Sequence, residues 1–166
     1  MCSFLIRKYQ AEDILQCRSL WRELTEWHRH IYDSPKIGGP TPEDAFDAHL
    51  AKVGMDCLWV AVQKSDVVGL VGLVIEESEA EIEPLIISQR YRRQGIGTQL
   101  LDVVMTEVSK LPIRYLNVRP VARNIDALHF FHHYGFDTIG HIDLLIDLKN
   151  RHWKSGIELH NRQFNY

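Results

Sequence analysis

Arg90-Tyr91-Arg92-Arg93-Gln94-Gly95-Ile96-Gly97-Thr98-Gln99-Leu100-Leu101 reads as a basic, glycine-containing turn that opens a helix. An extended apolar run, Pro84-Leu85-Ile86-Ile87, leads into it. A helical stripe of Leu100, Leu101, Val104 and Val108 leads out. Gly95 and Gly97 let backbone N–H groups approach a ligand that a Cβ would hold away. The helix start adds amides with no carbonyl one turn back, and the positive end of its dipole. Arg90, Arg92 and Arg93 supply charge. Together these features suit a phosphate.

The spacing excludes two common phosphate loops. A dinucleotide fingerprint needs a third glycine, but Gly95-Ile96-Gly97-Thr98-Gln99-Leu100 ends in leucine. A Walker loop ends in Gly-Lys-Ser/Thr, which is absent. What remains is Arg92-x-x-Gly95-x-Gly97, entered from a strand reading Leu85-x-Ile87. This pattern resembles the acyl-CoA loop of the GNAT N-acetyltransferase superfamily. The resemblance implies acetyl-CoA as co-substrate. Its contacts would be Leu85, Ile86, Ile87, Arg92, Arg93, Gln94, Gly95, Ile96, Gly97 and Thr98.

Outward from the turn, the chain alternates strand and helix signals. Residues 4–8 form a short strand. Ile14, Cys17, Trp21, Leu24, His28 and Ile31 step by threes and fours, one face of a helix over residues 11–32. Residues 33–40 are a loop by composition. Thr41 caps a second helix with Pro42 in its first turn, and Gly54 ends it. Residues 57–62, 67–76 and 80–87 are strands joined too tightly for crossovers, hence an antiparallel meander. A helix over 97–109, a strand over 113–118 and a short helix from the Asn124 cap to Gly135 follow. Residues 136–139 and 142–148 are the last clear strands.

The order is β-α-α-β-β-β-α-β-α-β-β, a mixed α/β chain. It matches the GNAT acyl-CoA transferase fold, a mostly antiparallel sheet flanked by helices. One domain is expected over residues 1–149. The tail, 150–166, is expected either to add a strand or to meet a second subunit, since Ile157-Glu158-Leu159 alternates; a homodimer is the form such a contact would take.

A second segment, Asn124-Ile125-Asp126-Ala127…Phe131-x-x-Tyr134-Gly135-Phe136, resembles the family's Asn-x-x-Ala…Tyr-x-x-x-Gly-Phe. The resemblance gives Asn124 a contact to CoA and places Phe131 beside it. The family's general-acid tyrosine is replaced by Phe131, which has no proton to give. Tyr134 lies about 300° further round a helix, so it is no simple substitute. A thiolate leaving group, with a conjugate acid near about 8.5, tolerates that loss.

The acceptor amine sets the harder demand. A lysine-like amine, with a pKa of about 10.4, must lose a proton before it attacks. Glu81 and Glu83 precede the turn, and strict alternation sets them on one face with Leu85 and Ile87. The segment Ala80-Glu81-Ile82-x-x-Leu85-x-Ile87 resembles the one that carries the base glutamate in the histone-acetyltransferase branch. That makes Glu81 the first candidate base and Glu83 the second. Glu76, Glu77, Glu79, Glu81 and Glu83 lie just before the arginines, a charge pattern that would draw in a cationic amine and hold anionic CoA. The function expected is direct acetyl transfer from acetyl-CoA to a primary amine of a small molecule or peptide. The alternative is a non-catalytic module that binds acyl-CoA as a sensor.

Composition narrows the partners. A net charge of −3 gives no global field for nucleic acid. The longest apolar run, Val67 to Ile75, is far short of a membrane span. Three unspaced cysteines, Cys2, Cys17 and Cys57, point to a reducing, cytoplasmic setting rather than a disulfide framework. His129, His132 and His133 lack companion ligands at metal spacing, so no metal is expected.

Overall fold

The computed structural model describes residues 4–149 and 152–166. The chain divides into two compact units, Met1–Arg119 and Pro120–Tyr166.

The first unit is a five-stranded sheet in chain order, β1 (Leu5–Lys8), β2 (Leu58–Gln63), β3 (Asp66–Ile75), β4 (Glu79–Ile87) and β5 (Tyr115–Val118). β1 to β4 pair antiparallel, and β5 joins β4 in parallel. The expected meander is therefore β2-β3-β4. The one long crossover carries α3 (Ile96–Val108) from β4 to β5, as a parallel pair requires.

Helices cover both faces of the sheet, which explains why β3 is apolar without alternation: Val67-Val68-Gly69-Leu70-Val71 is buried throughout. On one face, α1 (Ile14–Tyr32) and α2 (Asp44–Val53) close a core of Cys17, Leu20, Phe46, Leu58, Val60, Leu70 and Ile86. On the other, Ile96, Leu100, Leu101 and Val104 of α3 are fully buried. Each such side chain contributes about 1.5–3 kcal/mol. That burial holds the start of α3, and hence the glycine turn, against the end of β4. Gly69 permits the approach: a Cβ there would lie 3.0 Å from Ile87 Cδ1 and 3.2 Å from Leu100 Cδ1.

Two local expectations shift. Thr41 is not the cap of α2. Its carbonyl accepts from Asp44 N–H at 3.1 Å in a separate turn, and Glu43 stands at the cap position. The second shift concerns β4. The register runs Val71↔Leu85 but Leu73↔Ile82, so β4 carries one residue more than β3 at Glu83-Pro84. An extra residue reverses which face the following side chains take. Glu81 therefore shares its face with Ile86 and the α1/α2 core, while Ile87 lies on the α3 side. The single face expected for Glu81, Glu83, Leu85 and Ile87 does not exist.

In the second unit, α4 (Ile125–Tyr134) begins at Asn124, whose side chain accepts from Ala127 N–H at 3.3 Å. It ends at Gly135, whose left-handed φ of 122° lets its N–H reach the Phe131 carbonyl at 3.1 Å. A hairpin of β6 (Ser155–Leu159) and β7 (Arg162–Asn165) follows. Its turn residues, His160 and Asn161, both take positive φ, 49° and 60°, the backbone that suits the twist of a two-residue hairpin. Arg123 donates to the carbonyls of His152 and Tyr166, both at 3.0 Å, and ties the hairpin to the start of α4.

Residues 136–139 and 142–148 are not strands. An apolar extended run becomes a strand only when its backbone finds a ladder. Among the described residues these have none, and Ile146 and Leu148 are 86% and 88% exposed. The final two strands of the expected order are instead the tail's hairpin, which pairs with itself.

Candidate functional site

The turn after β4 is held from three directions. Ser88 N–H donates to the Val68 carbonyl of β3 at 3.0 Å. Gln89 N–H donates to the Glu23 carboxylate of α1. Tyr91 N–H closes a short turn onto the Ser88 carbonyl at 2.8 Å. The chain then passes through two left-handed residues, Arg93 at φ 61° and Gly95 at φ 82°, and enters α3. For Arg93 this conformation is uncommon. For Gly95 it carries no steric penalty. A Cβ built at Gly95 meets nothing within 4 Å, so the backbone there faces open space. Ile96, Gly97 and Thr98 open α3 and have no carbonyl one turn back within it. These amides stand at the positive end of a 13-residue helix.

The predicted contacts of this turn divide by what each offers. Ile96 is buried against the sheet, so only its backbone is available. Gln94 donates to the Arg90 carbonyl at 3.4 Å. Arg92 does not extend outward. Its Nε donates to the Ile87 carbonyl at 3.2 Å, and its guanidinium lies 5.3 Å from the Trp27 ring centre of α1. Arg92 thus joins the end of β4 to α1. Ile86 is buried in the α1/α2 core, and Leu85 and Ile87 are half-buried.

Both candidate bases lie upstream on β4. Glu81 is 18% exposed and is bonded to Arg119, just past β5. Glu83 is 42% exposed and faces α2: Lys52 Nζ lies 3.1 Å from Oε2, and His49 Nδ1 lies 3.9 Å from Oε1. His49 is buried, its ring 5.1 Å from that of Trp21. Burial holds its imidazole below the ordinary value, against the opposing Glu83 charge, so it is neutral near pH 7. Glu79 accepts from Asn117 Nδ2 at 2.9 Å. Arg119, Lys52 and His49 were missed in the sequence. His49 left one signal there: it stands three residues after Phe46, on the apolar stripe of α2.

In the second unit, Phe131 is buried, with ring centres of Phe130 and Phe136 at 5.3 and 5.6 Å. Tyr134 packs on Phe136 at 6.3 Å. Among the described residues, no group of three or more His, Cys, Asp or Glu could hold a metal ion. None of the described helices is long and apolar enough to cross a membrane.

Comparison with known proteins accords with this fold. The model of the Acetyltransferase (GNAT) family matches residues 21–136. The chain belongs to the GNAT acetyltransferase family. Solved GNAT structures share its fold. A GNAT-family acetyltransferase from Staphylococcus aureus Mu50 is 21% identical with a TM-score of 0.66, covering 90% of this chain and 96% of its own. The PaiA N-acetyltransferase of Thermoplasma acidophilum, crystallised with coenzyme A, is 22% identical with a TM-score of 0.68, covering 83% and 94%. The aminoglycoside N-acetyltransferase AAC(6')-Iy, in complex with a bisubstrate analogue, is 15% identical with a TM-score of 0.63, covering 87% and 98%. No curated protein matches the sequence.

Proposed function

We propose that this GNAT protein moves an acetyl group from acetyl-CoA directly to a primary amine, without a covalent intermediate. The observation that carries the reading is the turn at residues 93–98, with its left-handed Arg93 and Gly95, open space at Gly95, and helix start. A pyrophosphate would be met there by backbone amides and the helix dipole. Arg93 adds charge; Arg92 acts instead by fixing the Ile87 carbonyl to the turn. The thioester carbonyl would be polarised by a backbone N–H near Ile87, as an oxyanion hole requires. Asn124 and Phe131 enter the proposal through the family resemblance alone.

Proton removal falls to Glu81, with Glu83 second. The register supports both as residues of the α1/α2 side. Each carboxylate is paired with a cation, Arg119 for Glu81 and Lys52 for Glu83, so an incoming ammonium would displace that partner to reach it. The cationic-amine acceptor is drawn from the acidic run Glu76, Glu77, Glu79, Glu81 and Glu83.

The sensor alternative draws on the ion pair that occupies Glu81 and on Phe131 in place of a tyrosine. One experiment separates the two. Free thiol is followed with acetyl-CoA across aminoglycosides, polyamines, amino acids and peptides. Amine-dependent thiol release supports the enzyme. CoA binding without release by any amine supports the sensor.

A further inference from the structure

The alternation of bonds at the end of β4 decides what its last residue presents. Ser88 N–H donates to the Val68 carbonyl at 3.0 Å, which continues the register Gly69↔Ile87 by one bonded pair. A residue next to such a pair turns its N–H and C=O away from the partner strand. Ile87 is in that position. Its N–H and its carbonyl therefore leave β4 together, on the side away from β3. Among the described residues, β5 pairs with β4 only as far as Ile82 and does not cover them.

This arrangement sets a problem for acyl transfer. The Ile87 N–H is the donor proposed for the thioester oxygen. The carbonyl beside it turns the negative end of a dipole to the same space and would oppose the charge that develops there. Arg92 removes that opposition. Its Nε donates to the carbonyl at 3.2 Å, so a guanidinium covers the oxygen. Arg92 Cζ lies 5.3 Å from the ring centre of Trp27, within the range of cation–π attraction. Trp27 is on α1, four residues after Glu23, whose carboxylate accepts from Gln89 N–H. Residues four apart share a helix face. One face of α1 thus holds the turn at two points, Gln89 and Arg92.

We propose that Trp27 is a positioning residue of the acyl-transfer site, which seats the Arg92 guanidinium on the Ile87 carbonyl and so makes the space beside the Ile87 N–H electropositive. This rests on the reading that a backbone N–H at the end of β4 polarises the thioester. Trp27 acts only through Arg92, and Arg92 serves the carbonyl rather than a phosphate.

Arg92→Met should lower turnover of the full-length protein by about 10²-fold, the low end for a lost oxyanion donor because the N–H itself remains. Its CoA affinity by calorimetry should equal that of the wild type. Trp27→Leu should lower turnover by about two- to thirtyfold, the worth of a cation–π contact. Trp27→Phe, with a weaker ring face, should lie between, and KM for acetyl-CoA should hold in both. The double variant discriminates. Trp27→Leu should cost nothing further in the Arg92→Met background, because residues that act as one unit do not add. An equal loss in both backgrounds would overturn the proposal. So would a fall in CoA affinity in Arg92→Met, which would make Arg92 a phosphate ligand. A second readout needs no amine. The Arg92 Nε–H resonance, assigned by its loss in Arg92→Met, should exchange slowly with water in the wild type and faster in Trp27→Leu; unchanged exchange would overturn the seat. If no amine supports turnover even in the wild type, the transferase reading fails, while the Nε–H exchange still decides whether Trp27 holds Arg92.

Discussion

Gly95→Ala separates the conformational role of the turn from its role toward a ligand. In the free protein the new methyl meets nothing within 4 Å, so no packing is lost. The penalty is the left-handed φ of 82°, about 1–2 kcal/mol for an L-residue. For a chain of this size each kcal/mol lowers the melting temperature by about 2–4 °C. The protein therefore stays folded. With CoA the methyl projects into the space assigned to the pyrophosphate and holds the amides of Ile96 and Gly97 away. Loss of one charge-assisted hydrogen bond removes about 1.5–3 kcal/mol, which is about ten- to a hundredfold in affinity. Gly95→Asn is the control, because asparagine tolerates left-handed backbone. It should melt closer to the wild type yet bind CoA as poorly as alanine. Calorimetry with CoA and thermal unfolding of the same samples give both numbers. Wild-type CoA affinity in folded Gly95→Asn would show that the phosphates bind elsewhere.

Glu81→Gln should lower turnover by about 10²–10⁴-fold at neutral pH with CoA affinity unchanged, and the deficit should shrink as pH rises and the amine deprotonates by itself. Pre-steady pH–rate profiles of this variant, Glu83→Gln and the double variant check it; three wild-type profiles would leave proton removal to water. Asp13 is buried and accepts from Arg7 at 2.7 and 2.8 Å and from Gln10 N–H at 2.9 Å. Burial alone would raise its carboxyl, but those hydrogen bonds and the Arg7 charge hold it below the ordinary value. A depressed folded value means that stability is full above the unfolded value of about 3.9 and falls as pH drops through the folded one. Asp13→Asn should cost about 3 kcal/mol, the low end for a broken buried pair because Arg7 is partly exposed, and should flatten the acid limb seen by urea unfolding at pH 2–6. Arg123→Ala removes the bonds to the His152 and Tyr166 carbonyls and leaves Tyr166 only its bond from Lys154 N–H, so amide exchange should rise in the hairpin and at the start of α4; unchanged protection would show that the hairpin holds without it.

The meander, the crossover and the glycine turn were legible because each is written locally. Tight connections force antiparallel neighbours, and a strand–turn–helix signal occupies adjacent residues. The ends were harder. Residues 142–148 alternate well enough to be a strand, but a strand is defined by its partner, and no local pattern supplies one. Ser155–Leu159 carried a weaker pattern and did pair, because His160-Asn161 turns the chain back onto itself. Among site residues, the backbone of the turn was readable and side-chain direction was not. Arg92 looked like a phosphate ligand by charge, yet it bonds to the Ile87 carbonyl and stacks toward Trp27.

The face of the glutamates was misread for a more specific reason. Period-two reasoning assumes an unbroken ladder, and β4 is broken at Glu83-Pro84. The break does what an unbroken strand cannot. It lets one strand present acids to the α1/α2 side at Glu81 and Glu83, then turn Ile87 toward α3 before the chain enters the turn. The extra residue and the missing side chain at Gly72 go together, because a Cβ at Gly72 would overlap the Glu83 carbonyl oxygen. Gly72 was visible in the sequence as a glycine inside an apolar strand. Its role could not be given without the register that sets it beside the extra residue.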